Sequence, residues 1–308
     1  MNESAAVKRK KIGIIGIGKI GASILRGLLF ADDNGRGRCC WLNEEIFVSD
    51  TDIKRKRDEL KYFEGAGGRE SRVAAVCVCD SNGEVAEKSD VIILAVKPND
   101  LQGVVKEIAP LITGAKILVS VAAGVPTSMI ESYLGEGKRV IRVMPNIGAH
   151  VGESVTALCT GKYAEEEDES VAKEIFGSIG TVYNVKEGDI DVITGLSGSG
   201  IAFFAVIIEA MADAGLHEGL PGALSLEISA RTALSAAKMI LAGDKPSSIK
   251  EMTASPGGTT IRGLYAMESS GVKAAMMDAV IAATKRARAV SNYSGSKFRE
   301  PRTVNLAT

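Results

Sequence analysis

Ser255-Pro256-Gly257-Gly258-Thr259-Thr260 places two glycines and two threonines behind a proline, just ahead of the helix-spaced apolar residues Ile261, Leu264 and Met267. The first N–H groups of a helix lack intrahelical acceptors and the macrodipole adds positive potential there, so a small-residue approach of this kind suits a carboxylate or phosphate. Taken alone, the segment also reads as a loop before a capped helix. A second segment of this type lies near the start. Gly16-Ile17-Gly18-Lys19-Ile20-Gly21 follows the apolar run Lys11–Gly16 and opens an apolar helical stretch, 22–30. G-x-G-x-x-G between a strand and a helix is a dinucleotide fingerprint. Its first glycine makes the tight turn, its second admits pyrophosphate to the backbone, and its third lets helix and strand pack closely. One segment thus suits a cofactor's phosphates and the other a small acid.

Further candidates close the strands that follow. Val48-Ser49-Asp50-Thr51-Asp52-Ile53-Lys54-Arg55 ends the second. Ser49 and Thr51, with Lys54 and Arg55, suit a ribose 2′-phosphate, whereas Asp50 suits free ribose hydroxyls; the expectation is NADPH, with NADH also admitted. Ala95-Val96-Lys97-Pro98 ends the fourth strand and sets Lys97, a cation, where a nicotinamide should lie. Ala122, Ala123 and Gly124 end the next with residues small enough for a ring, and Asn146 follows Arg142-Val143-Met144-Pro145 after the sixth. Each is a plain strand-end turn by itself; three in succession at the edge where such sheets bind ligands point to a cofactor. Ser197-Gly198-Ser199-Gly200 interrupts a helical pattern, where each glycine costs about 1 kcal/mol against alanine. A tight helix crossing or a ligand pressed against the helix would explain it. The acidic run 165–169 opens a helix and complements its dipole.

The elements that must position these groups alternate. Apolar runs at 11–16, 46–48, 74–78, 91–96, 117–121 and 140–144 read as strands with helical stretches between most of them, the pattern of βαβ units and a parallel sheet. The connection 32–45 is longer than usual and reads as a surface insertion. After about residue 187 strand-like runs cease and alanine-rich helical patterns take over: 191–215, 221–241, 246–253, 259–269 and 272–290. The fold class is α/β: an N-terminal Rossmann-type doubly wound sheet over residues 1–187, then an all-α domain over 188–308. The broad apolar faces of that domain suit burial against another subunit.

The 308 residues carry 37 basic and 38 acidic side chains, a balance that favours neither nucleic acid nor an anionic membrane. No stretch reads as long enough to cross a bilayer, and Lys8-Arg9-Lys10-Lys11 reads as a solvated lead-in, so a cytoplasmic protein is expected. Five cysteines (Cys39, Cys40, Cys77, Cys79 and Cys159) form no disulfide framework and read as reduced thiols, and His150 and His217 stand apart. No metal site is expected.

The fingerprint, Asn82, Ala95–Pro98 (AVKP), 120–124 (SVAAG), 142–146 (RVMPN), 194–200 (TGLSGSG) and above all 255–261 (SPGGTTI) resemble pyrroline-5-carboxylate reductase, in family order from about residue 11 to about 290. Ile201 stands where the family usually has proline, Ile147-Gly148 where Thr-Pro is common, and Gly222 where arginine is frequent. The resemblance implies hydride transfer from nicotinamide to the C=N bond of 1-pyrroline-5-carboxylate, giving L-proline. It also implies a substrate carboxylate held by Ser255, Gly257, Gly258, Thr259 and Thr260, with the Thr260 hydroxyl facing the ring nitrogen and Lys97 beside the nicotinamide. The cofactor would lie on 16–21, Ser49, Thr51, Asn82, 95–98, 122–124 and Asn146. Dimers through interleaved C-terminal helices, built up into rings such as a decamer, are implied as well. A β-hydroxyacid dehydrogenase would need a lysine base on the first long C-terminal helix, and none occurs between Lys186 and Lys238. A non-enzymatic NADPH sensor would have no use for a carboxylate cradle.

Overall fold

The computed structural model describes residues 10–30, 45–53, 60 and 76–297. The expected insertion (up to residue 44), the basic residues Lys54 to Arg57, Cys39, Cys40 and the start of the third strand lie outside the described residues.

In chain order the first unit runs β1 (Ile12–Ile15), α1 (Lys19–Phe30), β2 (Ile46–Ser49), β3 (Val76–Val78), α2 (Asn82–Lys88), β4 (Val91–Leu94), α3 (Pro98–Ile108), β5 (Ile117–Ser120), α4 (Thr127–Leu134), β6 (Arg139–Met144), β7 (Ser154–Thr160), α5 (Glu166–Gly177) and β8 (Gly180–Asn184). The strands form one sheet in the order β3-β2-β1-β4-β5-β6-β7-β8. Every residue of β1, β2, β4 and β5 is buried, as a parallel sheet covered on both faces requires. Ile14 and Ile93 pack with Ile24 and Leu25 of α1 and Phe176 of α5, while their neighbours Ile15 and Ile92 pack with Val85 of α2, Leu101 of α3 and Ile130 of α4. The isoleucine runs are thus split residue by residue between two layers by strand alternation.

One feature departs from the sequence expectation. Pairing is parallel from β3 through β6, but β7 joins β6 antiparallel, Met144 opposite Ala157. The connection between them, 145–153, is too short for a parallel crossover. Then β8 pairs parallel to β7. Cys77 and Cys79 both lie against the cluster around Ile15, as residues two apart on an extended chain do.

The acidic run has a structural task. Glu165 and Asp168 form a capping box at the start of α5, and Asp168, wholly buried, also accepts Arg139 Nη1 at 3.1 Å from β6. The helix is thereby pinned to the sheet.

From Glu187 to His217 the chain is one helical run. It comprises a single turn at Glu187–Asp189, α6 (Ile190–Ile193), a π-turn at Thr194–Gly198 and α7 (Gly200–His217). No stretch of the sequence reads as long enough to cross a membrane; this run is long and apolar enough to do so, because the π-turn at Thr194–Gly198 carries the helix on without breaking it. After it come α8 (Gly222–Leu241), α9 (Pro246–Thr253), α10 (Thr259–Ser269) and α11 (Val272–Lys297). By compactness the chain divides into a unit up to Gly198 together with the segment from Arg286 onward, and a second unit, Ser199–Lys285. In the second unit α7 and α8 form a hairpin, fastened where Ser225 Oγ donates to the Ala212 carbonyl at 2.7 Å. Its large apolar side chains are otherwise largely uncovered, Phe204 at 62% and Leu241 at 84% exposure.

Asp168→Ala should lower the stability of the first unit by about 3 kcal/mol, since it takes the buried partner from Arg139, leaving it only Glu165 at 3.6 Å, and strands the Glu165 N–H. Urea unfolding of the purified protein measures this; a loss below about 1 kcal/mol would mean that neither the Arg139 pair nor the Asp168 half of the capping box is what holds α5.

Candidate functional site

The glycine turn separates into positions the protein needs and one it does not. Gly16 has φ of +97°, and a Cβ there would come within 2.7 Å of the Ala95 carbonyl oxygen. A Cβ on Gly21 would overlap the Gly16 carbonyl oxygen. These two are small because β1, β4 and α1 approach so closely. Around Gly18 no protein atom lies within 4 Å of where a Cβ would stand. The space there leaves room for a ligand group to approach the start of α1, where the N–H groups of Lys19 and Ile20 have no intrahelical acceptors. The turn fits a dinucleotide pyrophosphate.

The turn is fixed to β2 by successive bonds. Gly16 N–H donates to the Ser49 carbonyl at 2.8 Å, and Ile17 N–H donates to Asp50 Oδ2 at 2.7 Å. Ser49 itself is buried, and its hydroxyl donates to Asn82 Oδ1 at 2.9 Å; Asn82 Nδ2 in turn donates to Glu107 Oε2 at 2.8 Å. Ser49 and Asn82, both expected at the cofactor, therefore meet each other. Thr51 is exposed beyond them. At the end of β4, Ala95 and Val96 are half-buried and Lys97 is exposed at the cap of α3, with Pro98 as its first residue. At the end of β5, Ala122 N–H donates to Ser120 Oγ, and Gly124 adopts φ of +75° where a Cβ would press on Val290 of α11. All these groups sit at the carboxyl ends of neighbouring strands, around the β1–β4 boundary where the strand order reverses, the ligand edge of open α/β sheets.

Asn146 is buried and its side chain holds structure: Oδ1 accepts the N–H groups of Gly148 and Val155 at 3.0 and 3.3 Å, and Nδ2 donates to Ser197 Oγ at 2.7 Å. It ties the end of β6 to the π-turn, which gives that turn a partner. A buried charge cluster nearby escaped the sequence reading. Arg142 Nη1 meets Glu187 Oε1 at 3.3 Å, and the same carboxylate accepts Thr127 N–H at 2.8 Å and Thr127 Oγ1 at 3.0 Å at the start of α4. No local pattern could have shown it, because the partners lie 45 and 60 residues apart. Burial first, and then the Glu187 charge, push the neighbouring Cys159 thiol up to about 12, so it is no nucleophile at neutral pH.

The second glycine segment lies in the other unit. Gly257 has φ of +68°, Gly258 N–H donates to the Ser255 carbonyl at 3.0 Å, and a Cβ on Gly258 would overlap Ser255 Oγ. Gly258 is the N-cap of α10 and carries no side-chain cap, so the amides that open this helix, at Thr259 and Thr260, receive no side-chain acceptor from the N-cap. Among the described residues no cluster of three or more His, Cys, Asp or Glu could hold a metal ion.

A doubly wound sheet with a glycine fingerprint at its switch point defines a dinucleotide-binding oxidoreductase fold. Residues 11–124 match the family model described as NADP oxidoreductase, coenzyme F420-dependent, and residues 187–290 match the model for pyrroline-5-carboxylate reductase dimerisation. A pyrroline-5-carboxylate reductase of Methanosarcina acetivorans is 41% identical over 92% of this chain and 98% of its own length. Among solved structures, that of a pyrroline-5-carboxylate reductase from Coxiella burnetii superposes with a TM-score of 0.78 at 30% identity, covering 92% of this chain and 98% of that one. The Plasmodium falciparum pyrroline carboxylate reductase, solved with NADP bound, gives 0.73 at 28% identity, covering 92% and 99%. The chain belongs to the pyrroline-5-carboxylate reductase family.

Gly18→Ala separates the two kinds of glycine. It should leave thermal stability unchanged to within about 0.5 kcal/mol, because its Cβ meets no protein atom, yet weaken NADPH binding at least about tenfold. Calorimetry and nicotinamide-fluorescence titration read the two effects. Loss of stability with intact binding would place Gly18 with Gly16 and Gly21.

Proposed function

We propose that this chain reduces 1-pyrroline-5-carboxylate to L-proline with NADPH, NADH also being admitted, as the last step of proline synthesis. The observation that carries the reading is the start of α10 at Gly258-Thr259-Thr260, which has no side-chain cap, in a chain that matches a member of this family over 92% of its length. NADPH, when bound, supplies the hydride. Its pyrophosphate is assigned to the turn 16–21, its adenosine end to Thr51 with Ser49 and Asn82 behind it, and its nicotinamide end to 95–98 and 122–124. Asn146 supports that edge through the chain it holds.

The substrate carboxylate is assigned to the N–H groups of Gly258, Thr259 and Thr260, with Ser255 beside them and Gly257 making the turn. Thr260 Oγ1 is assigned to the ring nitrogen, as donor or through a water. A protonated cyclic imine is already electrophilic, so proximity and orientation supply most of the acceleration. That suits a site with neither a histidine nor paired carboxylates at its assigned positions. Lys97 is assigned to the same edge as a mobile cation.

The functional division is placed at 187/188, with residues 1–187 binding the cofactor and 188–308 holding the substrate and a second copy. The uncovered faces of α7 and α8 support a homodimer, and rings such as a decamer would extend it. The apolar run from Glu187 to His217 falls inside the region matching the dimerisation model, so its exposed face is assigned to a second copy rather than to lipid. A cytoplasmic location is part of the same proposal.

Purified protein should oxidise NADPH when given 1-pyrroline-5-carboxylate and should not reduce NADP⁺ with 3-hydroxy acids. Turnover of the hydroxy acid instead would select the dehydrogenase reading, and NADPH binding without either turnover the sensor. Thr260→Ala should lower kcat/KM about 10- to 100-fold while NADPH affinity stays the same; an unchanged rate would refute the placement of the substrate.

A further inference from the structure

At the end of β2 an acidic residue stands where a ribose ligand is expected, yet its carboxylate serves the backbone. Asp50 Oδ2 accepts the Ile17 N–H at 2.7 Å, and Oδ1 accepts the Asp52 N–H at 2.9 Å. The β1–β2 ladder ends with Gly16 N–H on the Ser49 carbonyl. The next N–H, that of Ile17, would face away from β2 in a continued strand and instead meets the Asp50 carboxylate. The peptide between Gly16 and Ile17 is held at both ends of its plane: by the +97° φ of Gly16 on one side and by a charge-assisted hydrogen bond on the other. That peptide leads directly into Gly18 and the first turn of α1.

We propose that Asp50 is a positioning residue that latches the glycine turn in the shape the pyrophosphate needs, and that it is not the ligand of the adenosine ribose. The proposal rests on the dinucleotide reading of this edge. It has a consequence for selectivity. The pyrophosphate is common to NADPH and NADH, so loss of the latch weakens both alike, and the choice between them falls to other groups at the end of β2. A ribose ligand behaves differently: removing it weakens NADH alone, and removing its charge improves NADPH.

Titrations of NADPH and NADH against the full chain, followed by nicotinamide fluorescence, test this with Asp50→Ser and Asp50→Asn. In Asp50→Ser both dissociation constants should rise about tenfold, the loss of one charge-assisted hydrogen bond, with their ratio kept within about twofold. Asp50→Asn, which retains one carbonyl oxygen for Ile17, should fall between it and the wild type. Weakening of NADH alone, tightening of NADPH, or no change in either would overturn the latch. Should both variants fail to fold, a crystal structure of the wild type with NADP⁺ decides. Asp50 on Ile17 N–H and away from the ribose supports the proposal, and Asp50 on the ribose overturns it. A wild type that binds neither dinucleotide overturns the cofactor edge itself and the latch with it.

Discussion

The closeness of β1 to α1 is the constraint on which the first unit depends. A Cβ on Gly21 would overlap the carbonyl oxygen of Gly16, and one on Gly16 would press on the carbonyl of Ala95 in the neighbouring strand. Only glycine at both places lets the helix begin directly over the strand end, with its first amides at the carboxyl edge. That edge then collects Ser49, Asn82, the 95–98 turn and the 122–124 turn, because each follows a strand in register with β1 or its neighbours. The side chains supply little of this geometry. Backbone and small residues do, and the buried carboxylates brace it.

The same division of labour governs the charged groups. Arg142, Glu187 and Thr127 tie three elements of the sheet unit together, and Asp168 does so for Arg139 and α5. Each is a brace between elements distant in sequence. The thiol of Cys159, raised by burial, is inert. The chemistry is proposed to fall to the amides of Gly258, Thr259 and Thr260 and to one threonine hydroxyl, which suffices for an imine activated by its own proton.

Much of this was legible in local sequence. The fingerprint spans six residues and its meaning is fixed by the strand before it and the helix after it. The isoleucine-rich strands announce burial on both faces. By contrast β7 and β8 were not read: Ser154–Thr160 mixes polar and apolar residues, and Gly180–Asn184 is a largely exposed edge. Ser197–Gly200 reads as an interruption, whereas its first two residues end a π-turn whose anchor, Asn146, lies 51 residues away, and Gly200 already opens the next helix. The end of β2 shows the limit most clearly. Ser49 and Asp50 have the composition of a ribose or phosphate site, but their hydrogen bonds go to Asn82 and to the Ile17 amide, and no residue type reveals where a side chain will turn.

The reading of the second unit depends on a partner. Its helices expose Phe204, Leu241 and Tyr265, and such faces need a second copy to bury them. The central claim is that this chain transfers a hydride from NADPH to a cyclic imine. The most direct measurement uses NADPH dideuterated at nicotinamide C4 with 1-pyrroline-5-carboxylate, followed by mass analysis of the product. L-Proline carrying one deuterium at C5, formed mole for mole with NADPH oxidised, is the result predicted. Unlabelled proline, or NADPH oxidised without proline, would contradict the account.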